Sequence, residues 1–214
     1  MLNTIAGTLG RVVTQVAEAG GTIVGIRHGT EEPSFTVERR LGEVEIRRYG
    51  ERIAAETEVA ADEEPARNEG FRRLAGYIFG GNSGKAKIAM TAPVAQQTGE
   101  KIAMTAPVAT ERSASGRWVI RFFMPSSYTM ETLPTPNDDR VTLVTVPPQT
   151  VAVLRFSGVA TAGAVAERTT ELLDTLRRND INTVGEPLMW FYDPPWTIPF
   201  RRRNEIVVAV ADSP

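Results

Sequence analysis

Cysteine is absent from this chain of 214 residues, and histidine occurs once, as His28. Without cysteine the protein cannot form disulfides, thiolate metal sites or a cysteine nucleophile. A single imidazole also excludes a histidine-rich zinc site and any motif that needs two histidines. The lack of cysteine is compatible with a reducing compartment, and we expect the protein to be cytoplasmic.

A strong net charge is also absent. The 24 Lys and Arg residues nearly balance the 26 Asp and Glu residues, which leaves a net charge of −2. No global field therefore draws the protein to nucleic acid, and we expect no nucleic-acid partner. Hydrophobic residues make up 42% of the chain and charged residues 23%, which is ordinary for a folded protein with one sizeable core.

No long apolar run is present either. Apolar residues recur at helical spacing over residues 2–16, but Arg11, Gln15 and Glu18 interrupt any membrane-spanning run, which would need about 20 predominantly apolar residues. We interpret residues 1–33 as an amphipathic N-terminal helix and a linker. The helix packs on the domain or on a second copy of the chain, as in a homo-oligomer. A cleaved signal and a peripheral membrane anchor are weaker interpretations, because the basic residues that they need are missing.

Residues 34–212 have the pattern of one α+β domain. Consecutive β-prone runs separated by glycine or proline predict hairpins, so we expect two related halves, each a hairpin followed by a helix and returning strands. This order predicts an antiparallel sheet or partly closed barrel with its helices outside. The predicted helices begin near Glu63 and Thr161, and the first has an apolar stripe of Phe71, Leu74, Ala75 and Ile78. The predicted strands cover residues 37–41, 44–49, 53–59, 118–124, 141–146, 151–156, 188–192 and 206–210.

One phrase occurs twice. Lys-Ile-Ala-Met-Thr-Ala-Pro-Val occupies residues 87–94 and, unchanged, residues 101–108. Each copy alternates as a strand does, and a hairpin between the copies would place Met90 and Met104 on one side of the sheet. Methionine is polarizable and suits a pocket for a large flat ligand, whereas ordinary core packing is the alternative.

Catalytic and phosphate-binding motifs are not visible. With one histidine and no cysteine, no nucleophile and base can be singled out. Residues 80–85 resemble a phosphate-binding loop only superficially, because they follow a helix instead of opening one, and we interpret them as a helix end and a turn. His28 is a candidate axial metal ligand, although its place in the predicted linker favours a solvated histidine.

The segment from Phe191 to Glu205 combines aromatic residues, prolines and three consecutive arginines. It predicts a rigid apolar loop with cations beside it, which suits an apolar ring system that carries carboxylates. A loop that covers the core, with its arginines solvated or paired to acids, is the alternative.

Four features together resemble the SOUL/haem-binding protein family, in its bacterial type. They are the run over residues 44–50, the helix over residues 66–79 with Gly80-Gly81-Asn82 after it, the repeated phrase, and Tyr192-Asp193-Pro194-Pro195 followed by Arg202-Arg203-Asn204-Glu205. The resemblance covers about residues 34–212. It implies a distorted antiparallel β-barrel of two related halves with two long outer helices, and non-covalent binding of haem or a related tetrapyrrole.

The resemblance also implies a binding site, because the family's pocket is attributed to the first long helix and the loop before the last strand. Arg73 or Arg202 is then expected near the haem propionates. Two features depart from the family. Arg48 stands where some members have a histidine proposed as a haem ligand, and the phrase is usually single, so we interpret the second copy as a hairpin extension. The ligand-binding residues predicted from the family and from the phrase are Phe71, Arg73, Leu74, Ala75, Ile78, Met90, Met104, Tyr192, Pro194, Pro195, Trp196 and Arg202.

The sequence supports three hypotheses about function. The leading hypothesis is a haem or tetrapyrrole carrier or buffer that holds its ligand by apolar contact. The fold is also similar to gyrase-inhibitor-like and multidrug-sensing domains, which makes a promiscuous binder of hydrophobic ligands the alternative. A tetrapyrrole-modifying enzyme is the third hypothesis, for which the sequence offers no catalytic group.

Overall fold

The computed structural model describes residues 30–84, 99–113, 115–193 and 197–211. Among these residues, no helix is long and apolar enough to cross a membrane. The predicted N-terminal helix and His28 lie outside the described residues. The elements, in chain order, are β1 (Phe35–Leu41), β2 (Val44–Tyr49), β3 (Arg52–Val59), α1 (Glu63–Ile78), β4 (Asn82–Ser83), β5 (Val108–Arg112), β6 (Trp118–Phe123), β7 (Thr135–Pro136), β8 (Thr142–Val146), β9 (Gln149–Ser157), α2 (Ala162–Arg178), β10 (Thr183–Phe191), a 3-10 helix (Pro199–Arg201) and β11 (Arg203–Val210).

Both long helices begin where the sequence predicts. Glu63 and Glu64 place negative charge in the first turn of α1, where the helix dipole favours it. α2 follows Thr161, whose hydroxyl accepts a hydrogen bond from the backbone N–H of Ala164 at 3.2 Å. α1 ends at Ile78 and is followed by Phe79, its C-cap, and by Gly80, whose positive φ (110°) suits glycine. The predicted end of this helix is confirmed.

Nine of the described strands form one antiparallel sheet in the order β1-β2-β9-β11-β10-β5-β6-β3-β8. The order from β2 to β8 is symmetric about the pair of β10 and β5. Strands at equal distances from this centre correspond to each other: β10 to β5, β11 to β6, β9 to β3 and β2 to β8. The two halves of the chain, β2-β3-α1-β5-β6 and β8-β9-α2-β10-β11, are therefore related, and β5 pairs with β10 at their junction. The predicted α+β fold of two related halves is confirmed.

The predicted hairpin at Gly42 is confirmed, because β1 and β2 are antiparallel neighbours. The predicted hairpins at Gly50 and at Pro147-Pro148 are wrong. β2 and β3 are separated only by Gly50 and Glu51, yet β2 pairs with β1 and β9, whereas β3 pairs with β6 and β8. β8 and β9 flank Pro147 and Pro148 in the same way, and they too pair with other strands. A two-residue connection between strands at opposite ends of the sheet order requires the sheet to curl. The result is the distorted barrel.

Alternate residues of each strand face the inside or the outside of this barrel. On β3, Ala54 belongs to the inner core and Ala55 to the outer core beneath α1. Leu172 and Leu176 of α2 are buried in a second outer core. Each fully buried side chain of this kind contributes about 1.5–3 kcal/mol of transfer free energy. The inner core contains Tyr49, Ala54, Ala106, Ala109, Phe123, Val151, Val153, Trp190, Tyr192 and Val207.

The second copy of the phrase belongs to the described fold, whereas the first copy, and with it the predicted hairpin between the copies, lies outside the described residues. The second copy continues directly into β5, and its Ile102 donates a backbone hydrogen bond to the carbonyl of Ile78 at 2.9 Å. Thr105 is buried and donates its hydroxyl proton to the carbonyl of Phe123. The interpretation of this copy as a hairpin extension is therefore corrected. The predicted alternation is also wrong at Met104, which is exposed next to the buried Thr105.

The ends of segment 85–98, which holds the first copy, lie close together. The amide of Asn82 donates to the carbonyl of Glu100 at 2.8 Å and accepts from the backbone N–H of Glu100 at 2.9 Å. Gly80 and Gly99 are in such close contact that a Cβ on Gly99 would lie 1.8 Å from the carbonyl oxygen of Gly80. We call this contact the Asn82 clasp. It joins the described residues that precede segment 85–98 to those that follow it.

Candidate functional site

The predicted site residues of α1 fall into a buried and a half-buried group. Leu74 and Ile78 are 0% and 1% exposed, because they pack into the outer core against β3 and β6. Phe71 and Ala75 are half-buried. The ring of Phe71 contacts that of Phe122 edge-on, with the centroids 5.2 Å apart. Of these four side chains, only Phe71 and Ala75 offer accessible surface at the edge of the helix.

Arg73 is engaged in contacts between α1 and β3. Its Nε donates to Glu69 at 3.0 Å, and its Nη1 donates to the hydroxyl of Thr57 at 3.3 Å and to the carbonyl of Glu58 at 3.1 Å. The Arg73 guanidinium, as the first partner, and Arg72 hold the pKa of Glu69 below its usual value. These bonds fix Arg73 on the sheet.

Sequence reasoning missed another cation of the same helix. Arg67 lies one turn before Phe71, and its guanidinium carbon is 4.8 Å from the ring centroid of Phe191. Phe191 ends β10 and leads into the loop that precedes β11. Arg67 forms no hydrogen bond or ion pair with the described residues, so its charge remains available. Nothing local in the sequence distinguishes Arg67 from Arg72, because only the fold brings it to Phe191.

The loop between β10 and β11 is described only in part. Pro194, Pro195 and Trp196 lie outside the described residues. Arg202 donates from its Nε to the carbonyl of Thr197 at 2.8 Å, within the same loop. Tyr192 is 7% exposed and belongs to the inner core, so it lies on the other side of the sheet from Leu74 and Ile78. The structure therefore does not bring all the predicted residues into one cavity.

Met104 is 37% exposed and lies near the end of α1, where Phe79 is 60% exposed. The backbone bond between Ile102 and Ile78 joins the two segments there. These two apolar side chains are accessible, although the sequence predicts only Met104. Its predicted partner Met90 lies outside the described residues.

A buried ionic network crosses the inner face of the barrel and includes Tyr192. The carboxylate of Glu205 is fully buried and accepts hydrogen bonds from the hydroxyl of Tyr192 at 2.6 Å, from Arg47 at 3.0 Å and from Arg203 at 2.7 Å. Arg203 also forms a two-bond contact with Glu32 at 3.0 and 3.1 Å. Such a fully satisfied network fixes the geometry of a core.

The network also determines the protonation of its members. Burial, followed by the Glu205 carboxylate, raises the pKa of the Tyr192 hydroxyl above its usual value. Burial alone would lower the pKa of Arg47. The Glu205 carboxylate, together with Tyr49 and Glu45, outweighs the effect of burial, so the pKa of Arg47 is raised. All three donors to Glu205 therefore keep their protons at neutral pH, and the network is structural.

No group of three or more His, Cys, Asp or Glu side chains among the described residues is arranged to hold a metal ion. The described residues also contain no histidine. A cofactor bound by this part of the chain would be held by apolar contacts and cations.

Two comparisons by sequence show which proteins this chain is similar to. The family described as "SOUL heme-binding protein" matches residues 30–99 and 95–209 of this chain. The two matches meet between the two copies of the phrase, as expected if one copy is inserted. "Heme-binding protein 2" of Mus musculus is 27% identical over 212 residues, which cover 93% of this chain and 98% of the mouse protein.

Two solved structures share the fold. The crystal structure of the EcmrR C-terminal domain has a TM-score of 0.54 at 12% identity, covering 79% of this chain and 98% of that domain. EcmrR in a cryo-EM structure with DNA has a TM-score of 0.54 at 11% identity, covering 99% of this chain and 68% of that one. Likeness at such identities shows the fold alone. The family match, in contrast, extends over most of the sequence, and the chain belongs to the SOUL haem-binding protein family.

Proposed function

We propose that this protein binds haem or a related tetrapyrrole non-covalently and acts as a cytoplasmic carrier or buffer. The observation that carries the proposal is the family match over residues 30–209, which the full-length similarity to a mouse protein named Heme-binding protein 2 supports. Haem, when bound, supplies a flat apolar ring with two carboxylates. The protein must therefore offer an apolar surface with a cation at its edge.

The proposed pocket lies between α1 and the loop that follows β10. Phe71, Ala75 and Phe191 are half-buried there and provide apolar surface. Pro194, Pro195 and Trp196 of the loop complete the proposed pocket. A planar ring bound there would contact the half-buried side chains without displacing the buried Leu74 and Ile78.

Arg67 is the cation that we assign to the propionates. Its guanidinium lies at the Phe191 ring and forms no hydrogen bond or ion pair with the described residues. Arg73, the residue predicted from the family, is committed to Glu69, Thr57 and Glu58 instead. A guanidinium without a carboxylate partner gains a charge-assisted hydrogen bond on binding a propionate, whereas Arg73 would have to give up existing bonds.

Binding of hydrophobic cations is the alternative function, and a buried carboxylate would be one partner for such a ligand. Glu205 is the fully buried carboxylate of the inner face, and Arg47, Arg203 and Tyr192 already donate to it. A cationic ligand would have to displace two guanidinium groups. This arrangement disfavours a cationic ligand at Glu205.

The test is a titration of the purified full-length protein with haemin, followed at the Soret band. We expect saturable binding at micromolar haemin, weakened about three- to tenfold in Arg67→Gln because a partly exposed propionate contact is lost. Arg72→Gln on the same helix is the matched control, since Arg72 is exposed and pairs only with Glu69. His28→Ala should also bind as the wild type does.

A titration without a saturable Soret change would refute the proposed function. Equal losses of affinity in Arg67→Gln and Arg72→Gln would place the propionates elsewhere. Loss of binding in His28→Ala would restore the axial role of that residue.

A further inference from the structure

Arg52, the first residue of β3, is a cation without a counter-ion on the inner face of the barrel. Its three guanidinium nitrogens are buried and have no hydrogen-bond partner among the described residues. The guanidinium lies between two rings instead, 4.5 Å from the centroid of Tyr49 and 4.8 Å from that of Phe123. Cation–π contacts offset only part of the cost of burying a charge, so an acceptor for these donors is missing.

Other arginines of the inner face show what Arg52 lacks. Arg47 and Arg203 both donate to Glu205, and Arg121 lies between Glu56 and Glu111. Burial lowers the pKa of Arg52 to about 10, whereas the carboxylates beside Arg47 raise the pKa of that residue. Arg52 is thus distinct from its neighbours in having its in-plane N–H groups unused.

A second buried donor belongs to the same cluster. Trp190 is 2% exposed, and no acceptor in the described part of the chain bonds to its indole Nε1. Its ring contacts both aromatic neighbours of Arg52 edge-on, with centroid distances of 5.5 Å to Tyr49 and 6.0 Å to Phe123. Buried indole N–H groups usually find a partner. Two unpartnered donors thus share one aromatic box, which Tyr49, Phe123 and Trp190 form.

Arg52 lines an open cleft of about 570 Å³, and its guanidinium nitrogens are buried behind the wall of this cleft. This volume is in the range of small-molecule sites, about 300–1,000 Å³. The cleft is bounded by residues 31–34, by the turn between β2 and β3, and by the loop over residues 124–131. The apolar side chains of Ile53 and Met124 also line it.

Four carboxylates stand at the cleft, those of Glu31, Glu32, Glu51 and Glu131. Glu32 is paired with Arg203, and Glu31 accepts a hydrogen bond from the backbone of Ser126 at 2.8 Å. Like charges at the mouth of a site disfavour anions in proportion to their charge. A multiply charged anion such as phosphate is excluded more strongly than a single carboxylate.

We propose that Arg52 is the anchor of a second ligand site, which takes a small monocarboxylate with an apolar body. The carboxylate pairs with the in-plane edge of the guanidinium once that side chain turns toward the cleft, while the apolar body lies in the cleft against Ile53 and Met124. This site lies at the start of β3 and is separate from the tetrapyrrole pocket beside α1.

The test is calorimetric titration of the full-length protein at neutral pH with benzoate, benzamide and inorganic phosphate. We expect saturable 1:1 binding of benzoate, binding of the isosteric but neutral benzamide at least about tenfold weaker, and no saturable binding of phosphate. Arg52→Gln should reduce benzoate affinity at least about tenfold. Because no carboxylate is paired with Arg52, this variant leaves no orphaned charge and is expected to fold.

The matched control is Arg48→Gln, since Arg48 is an exposed arginine of β2 that pairs with Glu38, and it should bind benzoate as the wild type does. Should Arg52→Gln fail to fold, Arg52→Lys retains the charge but not the planar fork, and it should bind benzoate more weakly than the wild type.

Wild-type protein that gives no saturable signal with benzoate, or that binds benzamide equally well, would overturn the proposal. Competition between benzoate and haemin would overturn the separation of the two sites, whereas failure of haemin binding alone leaves the Arg52 site standing.

Discussion

Gly70 sets how closely α1 approaches the sheet. A Cβ at this position would lie 2.7 Å from Cδ1 and 2.9 Å from Cβ of Ile120, which is closer than real Cβ contacts allow. Ile120 is fully buried on β6 and cannot move aside cheaply. Arg67 and Phe71, which we assign to the tetrapyrrole pocket, lie on the same helix on either side of this contact. The packing of one glycine therefore positions the proposed site.

Gly70→Ala is expected to destabilise the protein by about 1–3 kcal/mol, because overpacking at Ile120 outweighs the gain in helix propensity of up to about 1 kcal/mol. Gly76→Ala is the control within the same helix. A Cβ at Gly76 meets no atom within 4 Å, so this change should stabilise by about 0.5–1 kcal/mol. Urea unfolding at neutral pH measures both. Equal effects of the two substitutions would contradict the role given to Ile120.

Single residues also show where sequence reasoning stops. The stripe of Leu74 and Ile78 is predictable, because helical periodicity encodes which face is buried. Arg52 and Glu205 are not, because a charged residue in a strand is usually solvated and its burial depends on which strands curl around it. Arg67 is missed for the same reason, since its neighbour Phe191 is distant in the chain.

At the scale of elements, the sequence predicts most helices and strands and the hairpin of β1 and β2, but not the other strand pairings of the first half. Periodicity is a local signal, and it identifies β2 and β3 correctly. The predicted pairing of β2 with β3 is wrong, because Gly50 and Glu51 connect strands that lie near opposite ends of the sheet order. No local property of those two residues indicates this connection. The relation between the halves is visible in the order of elements, since it requires only their sequence along the chain.

The repeated phrase is the clearest case at this scale. The second copy continues into β5 and joins Ile78, whereas the first copy lies outside the described residues. The Asn82 clasp joins the described residues on the two sides of segment 85–98. These contacts depend on residues distant in the chain, so the phrase alone does not predict them.

Deletion of residues 85–94 removes the first copy and leaves residues 95–98 to join Gly84 to Gly99. We expect the shortened protein to fold with equal stability or a gain of about 1 kcal/mol, because a shorter loop costs less entropy to close.

Asn82→Ala in the full chain should cost about 1–3 kcal/mol, since it leaves the backbone of Glu100 without partners. Thermal unfolding followed by circular dichroism compares the variants. A deletion variant that fails to fold would show that the first copy is part of the fold, and haemin affinity measured on the same protein would show whether that copy contributes to the pocket.

At the scale of the whole molecule, phenolic hydroxyls connect the separate parts of the barrel. Burial is the main cause that raises the pKa of Tyr49, Tyr77 and Tyr192, whereas a hydrogen bond to Glu100 at 2.7 Å is the main cause for Tyr128. Tyr77 donates to the carbonyl of Pro134 at 2.9 Å. These are all four tyrosines of the chain, and they lie in the inner network, under α1 and beside the Asn82 clasp.

Alkaline pH should therefore unfold this protein cooperatively. Each tyrosine has a pKa in the folded state above its ordinary value of 10.0, so its contribution to stability is fully present below about pH 10 and is lost as the pH rises through that value toward the folded pKa. Arg52 acts in the opposite direction, because its pKa is lowered to about 10 from 12.5 and unfolding takes up a proton in that interval. Four groups oppose one, so the free energy of unfolding should fall with pH in this range.

The measurement is urea unfolding at about pH 8 and about pH 11 together with tyrosinate absorbance, and tyrosinate should appear only as the far-ultraviolet circular dichroism is lost. Tyr192→Phe removes the buried hydroxyl beside Glu205, so its stability should fall less steeply with pH. Four tyrosines that titrate near pH 10 in a protein that remains folded would contradict the burial and bonding described for them.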